Sequence, residues 1–241
     1  MCRDHEYAII PQGGNSGLSG GAVPLNERRA IILALDRMKA IREIDSLGNT
    51  MVVEAGVVLA DIQAAAKKVD RIFPLSHGGE GSSQIGGNIS TNAGGNNALR
   101  YGTARDQVLG LEVVLPSGEI WSGLRALRKN TAGYDLKQMF IGSEGTLGII
   151  TAATLKIRPA PTCRETLLVA LADPDAALAF LRHLQTHVGD TVTAFELLSD
   201  NAISAALTLE GVRYPFQYRH DWCALVEIDA PSGRSDLSGA V

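Results

Sequence analysis

The sequence lacks the features of several common protein classes. Its 241 residues include only three cysteines, Cys2, Cys163 and Cys223, at wide and unpatterned spacings. Such spacings predict neither a disulfide framework nor a zinc site, and they fit a reducing compartment. No apolar run approaches the roughly 18 residues that a membrane span needs. The first residues also lack the basic and then apolar regions of a signal peptide, so we expect a cytoplasmic protein without a membrane span.

An excess of charge of one sign is also missing. The chain carries 22 Lys and Arg residues against 26 Asp and Glu residues, which gives a formal net charge of -4. This balance, with no run rich in Lys and Arg, argues against nucleic acid as a partner. Hydrophobic residues make up 45% and charged residues 20% of the chain, the ordinary balance of a globular protein. The length suffices for one large domain or two ordinary ones.

Signatures of nucleophilic and metal catalysis are missing as well. The sequence has no Gly-x-Ser-x-Gly elbow and no Cys/His pair close in sequence. His183 and His187 stand four residues apart on a predicted helix, but Leu184 occupies the place of the glutamate in a His-Glu-x-x-His motif. An amphipathic helix surface explains this pair better than a metal does. We therefore predict no metal site.

Glycine, in contrast, is abundant, with 26 residues and no short repeat period, which is typical of functional loops rather than of a fibre. The glycines concentrate in three segments that also carry short polar side chains: Pro11–Gly21 (PQGGNSGLSGG), Ile85–Gly102 (IGGNISTNAGGNNALRYG) and Ile141–Ile150 (IGSEGTLGII). The central segment is polar and nearly uncharged, so we expect it to be a poor core and a poor solvated face. Its composition favours a surface that wraps a polar, planar or phosphorylated small molecule through backbone N–H groups. A glycine- and asparagine-rich surface loop is the open alternative.

The first segment, Pro11–Gly21, has the composition of an anion-binding loop. Gly13, Gly14 and Gly17 permit a tight concave loop that can direct several N–H groups at a pyrophosphate without a cation. Asn15 and Ser16 can add side-chain hydrogen bonds. The segment is neither a Walker loop, since no Gly-Lys-Ser/Thr follows, nor a GxGxxG fingerprint. From the residues alone, a plain loop remains an equal alternative.

The order of these three segments, with Thr131–Asp135 (TAGYD) shortly before the third, resembles the FAD-binding domain of the vanillyl-alcohol oxidase / p-cresol methylhydroxylase (PCMH) superfamily. Within it the chain is similar to FAD-dependent D-2-hydroxyacid dehydrogenases of the D-2-hydroxyglutarate dehydrogenase, D-lactate dehydrogenase and glycolate oxidase types. The resemblance runs from about Cys2 to Pro161 and continues more weakly to about Glu227.

The resemblance implies an α+β fold class: a PCMH-type two-lobed FAD-binding domain, with a small α/β lobe and a mixed or antiparallel sheet lobe, followed by part of a ferredoxin-like cap domain. We place the FAD-binding domain at residues 1–160, the partial substrate or cap domain at 161–230 and a disordered tail at 231–241. The strand and helix that precede the first loop in the family are missing. We therefore expect a chain that is truncated at both ends.

Apolar alternation and helical spacing predict the elements within this frame. We expect the end of a helix at Cys2–Tyr7, a small lobe that ends near Asp70, and a domain boundary at the two prolines of Arg158–Pro161. The predicted strands are Tyr7–Ile10, Ala30–Leu35, Ile41–Asp45, Met51–Glu54, Val108–Leu115, Glu119–Trp121, Leu147–Ile157, Glu165–Leu171, Val192–Leu198 and Cys223–Ile228. The predicted helices are Leu59–Val69, Asp175–His187 and Asn201–Leu209.

The resemblance also implies cofactor contacts, residue by residue. The first loop would wrap the FAD pyrophosphate, and Ser82 and Ser83 would be polar contacts. The isoalloxazine and ribityl region would be lined by Gly86, Gly87, Asn88, Ser90, Asn92, Ala93 and Gly102. Glu144 would be a polar anchor on the adenosine and pyrophosphate side, with Ile149–Ile150 as the backbone contact. The expected cofactor-binding residues are Pro11, Gln12, Gly13, Gly14, Asn15, Ser16, Gly17, Ser82, Gly86, Gly87, Asn88, Ser90, Asn92, Ala93, Gly102, Glu144, Gly148 and Ile149.

Charged and ionisable residues near these motifs have more than one interpretation. His77 stands where relatives usually carry a small or aliphatic residue, so it either approaches the flavin or is a partly exposed loop histidine. Arg100 and Arg105 either face a substrate carboxylate, which a guanidinium fits bidentately, or form a salt bridge to Asp106 or a neighbour. Glu80 is a lone carboxylate in a glycine-rich turn, where we expect it to be solvated.

The implied activity is that of an FAD-dependent oxidoreductase that converts a small-molecule D-2-hydroxyacid to the 2-oxoacid by hydride transfer to flavin N5. No histidine is placed for covalent attachment, so we expect non-covalent FAD. In the family, the catalytic residues and the ligands of a divalent metal lie in a later part of the cap domain, to which nothing here aligns. We therefore name no catalytic residue and no metal ligand, and the electron acceptor stays unidentified.

Two other functions stay open. The chain is alternatively a catalytically incomplete flavin-binding subunit or remnant that needs a partner to supply the missing half of the cap. A homodimer or a partner subunit fits the multi-subunit oxidases of the family. The third function is a sugar-nucleotide reductase on the same fold, which matches the run GLRALRKNTAGYDLKQMFIGSEG at residues 123–145 less well than the hydroxyacid branch does.

Overall fold

The computed structural model describes residues 5–24 and 29–230. Within them, the strands are β1 (Ala8–Gln12), β2 (Ala30–Ala34), β3 (Ile41–Asp45), β4 (Thr50–Glu54), β5 (Arg71–Ile72), β6 (Val108–Val114), β7 (Ile120–Ser122), β8 (Ile149–Lys156), β9 (Arg158–Pro159), β10 (Cys163–Leu171), β11 (Val192–Ser199) and β12 (Trp222–Ala230). The α-helices are α1 (Leu59–Lys67), α2 (Ile85–Ser90), α3 (Ala98–Tyr101), α4 (Ala104–Gln107), α5 (Lys137–Phe140), α6 (Pro174–Val188) and α7 (Asp200–Ala206).

The chain divides into two compact units. The first comprises Met1–Gly95 with Gly102–Ala160, and the second comprises Asn96–Tyr101 with Pro161–Val241. The chain therefore enters the second unit briefly at α3, returns to the first, and re-enters the second after residue 160. The assignment of the two predicted segments to a cofactor domain and a substrate domain stays a prediction.

A five-stranded antiparallel sheet in the order β3-β4-β8-β6-β7 forms the centre of the first unit. Met51 on β4 lies opposite Leu155 on β8, and both are fully buried. α1 adds the buried Leu59 and Ile62 to the same core, as their helical spacing predicts. Full burial of each such side chain contributes about 1.5–3 kcal/mol to folding.

The predicted strands β3 and β4 lie in a different sheet from the one we expected. The sequence placed both in a small lobe that ends near Asp70, whereas they pair with β8 in the five-stranded sheet. β1 and β2 form a separate two-stranded parallel sheet, in which Pro11 lies opposite Leu33. The PCMH-type combination of a small α/β part and an antiparallel sheet is thus confirmed, with a different division of the strands.

The second unit is a three-stranded sheet in the order β10-β12-β11 with α6 packed on it. Both outer strands run antiparallel to β12, so β10, α6 and β11 form a split β-α-β unit of the ferredoxin-like kind that we expected. Asp173 caps α6 by accepting a hydrogen bond from the Ala176 N–H at 2.7 Å. The helix ends at Gly189, whose φ of 65° suits glycine.

The main surprise is α2, which occupies the first third of the central glycine-rich segment. We expected this segment to be a poor core, but Ile85 and Ile89 are fully buried and join the core of the first unit. The short helices α3, α4 and α5 were also missed. Of the predicted helix end at Cys2–Tyr7, only residues 5–7 are described, and Glu6 there has a φ of 56°. The predicted tail at 231–241 lies outside the described residues.

Candidate functional site

A cavity of about 520 Å³ lies in the first unit, where the three glycine-rich segments meet. This volume is in the range that small-molecule sites usually have, roughly 300–1,000 Å³. All the predicted cofactor-binding residues line it except Gln12, Ser82, Asn92 and Gly102. Ser83 and Ile150, also expected as contacts, line it too, as does His77, for which an approach to the flavin was one of two interpretations. The lining residues that we did not predict as contacts are Leu18, Ser19, Gly21, Ala22, Leu35, Gln84, Thr91, Gly94 and Gly145.

The loop after β1 forms the first wall by packing backbone on backbone. A Cβ atom added at Gly14 would lie 1.8 Å from the carbonyl oxygen of Ser82, so only glycine allows this approach. Gly79, in the turn before Ser82, lies close to Ser16 of the loop. The predicted concave loop is therefore held against a second turn.

α2 forms the second wall. Its start is anchored because the Gly86 N–H donates to the Ala55 carbonyl at 2.8 Å and the Ile85 N–H donates to the Val57 carbonyl at 2.9 Å. Gly87 lines the cavity, and a Cβ added there would meet nothing within 4 Å. The absence of a side chain at Gly87 thus leaves space open in the cavity.

The turn before β8 forms the third wall. Gly142 and Glu144 have φ values of 81° and 52°, and their N–H groups donate to the carbonyls of Ile89 and Ser90 at the end of α2. A non-glycine residue in this left-handed region is uncommon and costs free energy. The backbone bonds to α2 hold Glu144 there, with its carboxylate beside Gly21 of the first wall.

The cavity has little charge. Among its described lining residues, His77 and Glu144 are the only titratable ones, and none is a lysine or arginine. The side-chain oxygen of Gln84 is buried and has no hydrogen-bond partner within the described part of the chain. A buried acceptor without a partner is costly, so this oxygen suits a ligand that brings a donor. An elongated polar ligand such as FAD, held mainly by neutral groups and backbone N–H groups, fits this donor and acceptor set.

The predicted contacts that lie outside the cavity wall support it instead. Gln12 donates from its side-chain amide to the Ala22 carbonyl at 2.8 Å, across the first loop. The side-chain oxygen of Asn92 accepts from the Thr103 hydroxyl and the Arg105 N–H, both at 2.9 Å. Gly102 has a φ of 78° beside Asp106. These residues were predicted to touch a ligand, and their side chains or backbone conformation shape the wall.

Arg105 does not form the salt bridge that was one of its two predicted interpretations, and the other, a contact with a substrate carboxylate, stays a prediction. Its guanidinium donates to the carbonyls of Gln138 at 3.1 Å and Ile141 at 2.6 Å, rather than to an acidic side chain. It thereby holds the turn that leads to Gly142 and Glu144. Arg100 belongs to the second unit, where it donates to the Asp229 carbonyl at 3.1 Å and lies over the Tyr101 ring.

The two helical histidines remain on a surface. His183 and His187 are exposed on α6, and the His187 ring stacks on the His183 ring with centroids 4.0 Å apart. Within residues 5–24 and 29–230, no three or more His, Cys, Asp and Glu side chains are grouped so that they could hold a metal ion. In the same ranges, none of the helices is long and apolar enough to cross a membrane.

Comparison with known proteins adds independent information. The family model of the FAD binding domain matches residues 1–123, and that of the C-terminal domain of FAD linked oxidases matches residues 160–238. The chain is 37% identical over 236 residues to the D-2-hydroxyglutarate–pyruvate transhydrogenase of Saccharomyces cerevisiae, covering 98% of this chain and 47% of that protein. It is 36% identical over 236 residues to the mitochondrial D-2-hydroxyglutarate dehydrogenase of Arabidopsis thaliana, covering 98% of this chain and 42% of that protein.

A solved structure of alkyldihydroxyacetonephosphate synthase superposes with a TM-score of 0.81 at 21% identity, covering 96% of this chain and 44% of that one. This likeness supports the fold and not a particular activity. The chain thus spans less than half the length of the relatives that it matches.

Proposed function

The chain belongs to the FAD-linked oxidases that carry the PCMH-type FAD binding domain, and from this premise we propose that its cavity binds FAD and that it is part of an oxidoreductase acting on a D-2-hydroxyacid. The observation that carries the proposal is the meeting of the three glycine-rich segments around one cavity of about 520 Å³. The names of the relatives point to D-2-hydroxyglutarate as the substrate. D-lactate and glycolate stay predictions from the sequence.

The residues of the chain would bind and orient the cofactor. When bound, FAD supplies the oxidising chemistry: a 2-hydroxyacid that gives a hydride from Cα to the flavin ring and its hydroxyl proton to a base becomes the 2-oxoacid. Gly13, Gly14 and Asn15 would hold the pyrophosphate through backbone N–H groups. Gly87 would leave room for a planar group beside α2, and the Glu144 carboxylate would accept hydrogen bonds from ribose hydroxyls.

We infer that FAD is held without a covalent bond. Among the described lining residues, His77 is the only ionisable nitrogen nucleophile, and both its ring nitrogens have partners. Nδ1 accepts from the Gly79 N–H at 3.1 Å, and Nε2 lies 3.3 Å from the Asn88 side-chain oxygen. After acid denaturation and centrifugation of the loaded protein, we expect the flavin absorbance in the supernatant. Flavin that stays with the pellet would contradict this inference.

The absorbance spectrum of the purified chain tests the proposed function. We expect flavin bands after FAD is added and unbound FAD is removed, and bleaching of those bands when D-2-hydroxyglutarate is added anaerobically. D-lactate, added in a parallel sample, tests substrate choice. A chain that retains no flavin would overturn the proposal.

Flavin binding without turnover is the second candidate function. It is favoured by the composition of the cavity, in which none of the described lining residues is an arginine that could pair with a substrate carboxylate. Bound flavin that does not bleach with either acid would support this candidate. Recovery of bleaching on addition of a partner chain that carries the remaining part of a relative would support the subunit form.

The compartment and the assembly belong to the same proposal. We keep the cytoplasm as the proposed location, although several relatives are named as mitochondrial, and fractionation of cells that express a tagged chain tests it. A homodimer or a partner subunit also stays a proposal, and light scattering of the FAD-loaded chain tests it.

A further inference from the structure

The hydrogen bonds of His77 continue through Asn88 to Ser83 in the cavity wall. His77 is half-buried in the wall, next to the buried Asn88 and Ser83, which are 5% and 2% exposed. Its Nδ1 atom faces the Gly79 N–H at 3.1 Å. A backbone N–H can only donate, so Nδ1 must be the acceptor, and the neutral imidazole carries its proton on Nε2.

The protonation of Nε2 determines the direction of the next hydrogen bonds. Nε2–H donates to the Asn88 side-chain oxygen at 3.3 Å. This fixes the orientation of the Asn88 amide, whose nitrogen donates to the Ser83 hydroxyl oxygen at 3.3 Å. The Ser83 hydroxyl therefore acts as an acceptor towards Asn88, and its own proton is left to donate elsewhere.

The Ser83 proton has no acceptor among the described residues, and Ser83 lines the cavity. The neighbouring Gln84 side-chain oxygen is a buried acceptor without a partner in the same described set. Ser83 and Gln84 thus offer one donor and one acceptor side by side. A neutral group that carries both an acceptor and a donor, such as an amide-like ring edge or a hydroxyl, is complementary to this pair.

We propose that His77 is a positioning residue of the cofactor cavity, which acts through Asn88 to fix the Ser83 hydroxyl as a hydrogen-bond donor to bound FAD. This inference rests on the proposed function. In this arrangement His77 makes no hydrogen bond of its own to FAD. Its effect on binding passes through Ser83, which distinguishes it from a histidine that only fills space.

The experiment is a double-mutant cycle on the full chain, with FAD as the probe and the dissociation constant read from flavin fluorescence. We expect His77→Phe and Ser83→Ala each to weaken FAD binding by about three- to tenfold, the usual effect of one hydrogen bond. The double variant should bind no more weakly than either single variant. His77→Gln keeps an N–H donor near the Nε2 position and should retain wild-type affinity. His183→Phe, on the exposed face of α6, is the matched control.

Different failures have different meanings. Losses that multiply in the double variant, or wild-type affinity of a folded His77→Phe, would overturn the inference and leave FAD binding intact. A wild-type chain that binds no FAD would overturn the proposed function itself, and the inference with it. If His77→Phe does not fold, nitrogen-15 NMR of the wild-type imidazole decides. A proton on Nε2 supports the inference, and a proton on Nδ1 overturns it.

Discussion

The two units of the chain differ in whether a charged group is among the buried polar residues that the structure describes. In the first, the cavity is bounded by backbone, amides and hydroxyls, and its described lining residues include only His77 and Glu144 as titratable groups. In the second, Asp229 is fully buried and forms two hydrogen bonds with Arg164, at 2.6 and 2.8 Å. These contacts, with burial opposing them, hold the pKa of Arg164 above its ordinary value. The neutral cavity wall has polar atoms free to bind a ligand, whereas the polar atoms of the buried Asp229 carboxylate are already bonded to Arg164.

The largest expected effect tests the backbone packing of the first unit. Alanine at Gly14 would place Cβ 1.8 Å from the Ser82 carbonyl oxygen, which forces the loop away from the neighbouring turn. We expect Gly14→Ala to weaken FAD binding by more than about 100-fold, or about 3 kcal/mol. Titration of the variant with FAD measures the effect.

Gly81→Ala is the matched control for Gly14→Ala. Gly81 lies in the facing turn, is exposed, and would place its Cβ within 4 Å of nothing. Its affinity should stay within about twofold of the wild-type value. Equal losses in the two variants would show that the loop is not held by close packing.

The second prediction concerns the ion pair. Asp229→Asn keeps the shape of the side chain but removes the buried charge that Arg164, itself 43% exposed, pairs with, so we expect the second unit to lose about 2 kcal/mol of stability. FAD affinity should be unchanged. Urea unfolding followed by the fluorescence of Trp222, which lies on β12, measures the loss.

An exposed ion pair of the same unit calibrates this value. Asp200 and Arg219 are 42% and 43% exposed, so Asp200→Asn should cost less than about 1 kcal/mol. A similar loss of stability in both variants would contradict the expected difference between a pair with a buried carboxylate and a pair with an exposed one.

Gly86 and Gly87, which are neighbours on α2, should respond to alanine in opposite directions. A Cβ at Gly86 would lie 2.7 Å from the Ala55 Cβ, so Gly86→Ala should destabilise the protein by about 2 kcal/mol. A Cβ at Gly87 meets nothing, so Gly87→Ala should stabilise the protein without FAD by up to about 1 kcal/mol through helix propensity.

With FAD present, Gly87→Ala should lose this advantage in stability. Gly87→Ala should weaken FAD binding by about tenfold because its methyl group enters the cavity. Thermal unfolding with and without FAD separates the two effects. A Gly87→Ala variant that binds FAD as tightly as the wild type would place the flavin away from this wall.

The smallest effect is a pH dependence on the surface. Hydrogen bonds from Lys137 lower the pKa of Asp135 below its ordinary value, although slight burial opposes them. The ionised carboxylate therefore stabilises the fold above the unfolded-state pKa, and this contribution disappears as the pH falls through the lower folded-state pKa. Asp135→Asn should cost a few tenths of a kcal/mol at about pH 7 and progressively less as the pH falls through the lowered pKa of Asp135, as measured by chemical unfolding. A cost that persists at the acid end would contradict an electrostatic origin.

Regular periodicity made much of the fold predictable, and burial explains what was missed. The spacing of Leu59, Ile62 and Ala66 predicted α1 because its core-facing stripe is uninterrupted. α2 was missed because adjacent glycines give it low intrinsic propensity, and the burial of Ile85 and Ile89 stabilises it instead.

The sequence predicted the lining of the cavity where glycines determine the backbone conformation, and the contacts of these residues with FAD stay a prediction. Most of the expected residues do line the cavity. Ser82 and Ser83 were both expected as polar contacts because they look alike in the sequence, and Gln84 was missed. Only the start of α2 after Gln84 decides that Ser83 is buried and Ser82 is exposed.

The path of the chain through the two units also affects its biosynthesis. α3 belongs to the second unit, packs against β11, and reaches the Asp229 carbonyl across 129 residues of sequence. A nascent chain exposes α3 long before the ribosome has made β11 and β12, so the first unit can fold while this segment waits. Cleavage after residue 160 would accordingly separate α3, on the N-terminal piece, from β11, on the C-terminal piece. We expect each piece to need chaperones more than the intact chain does.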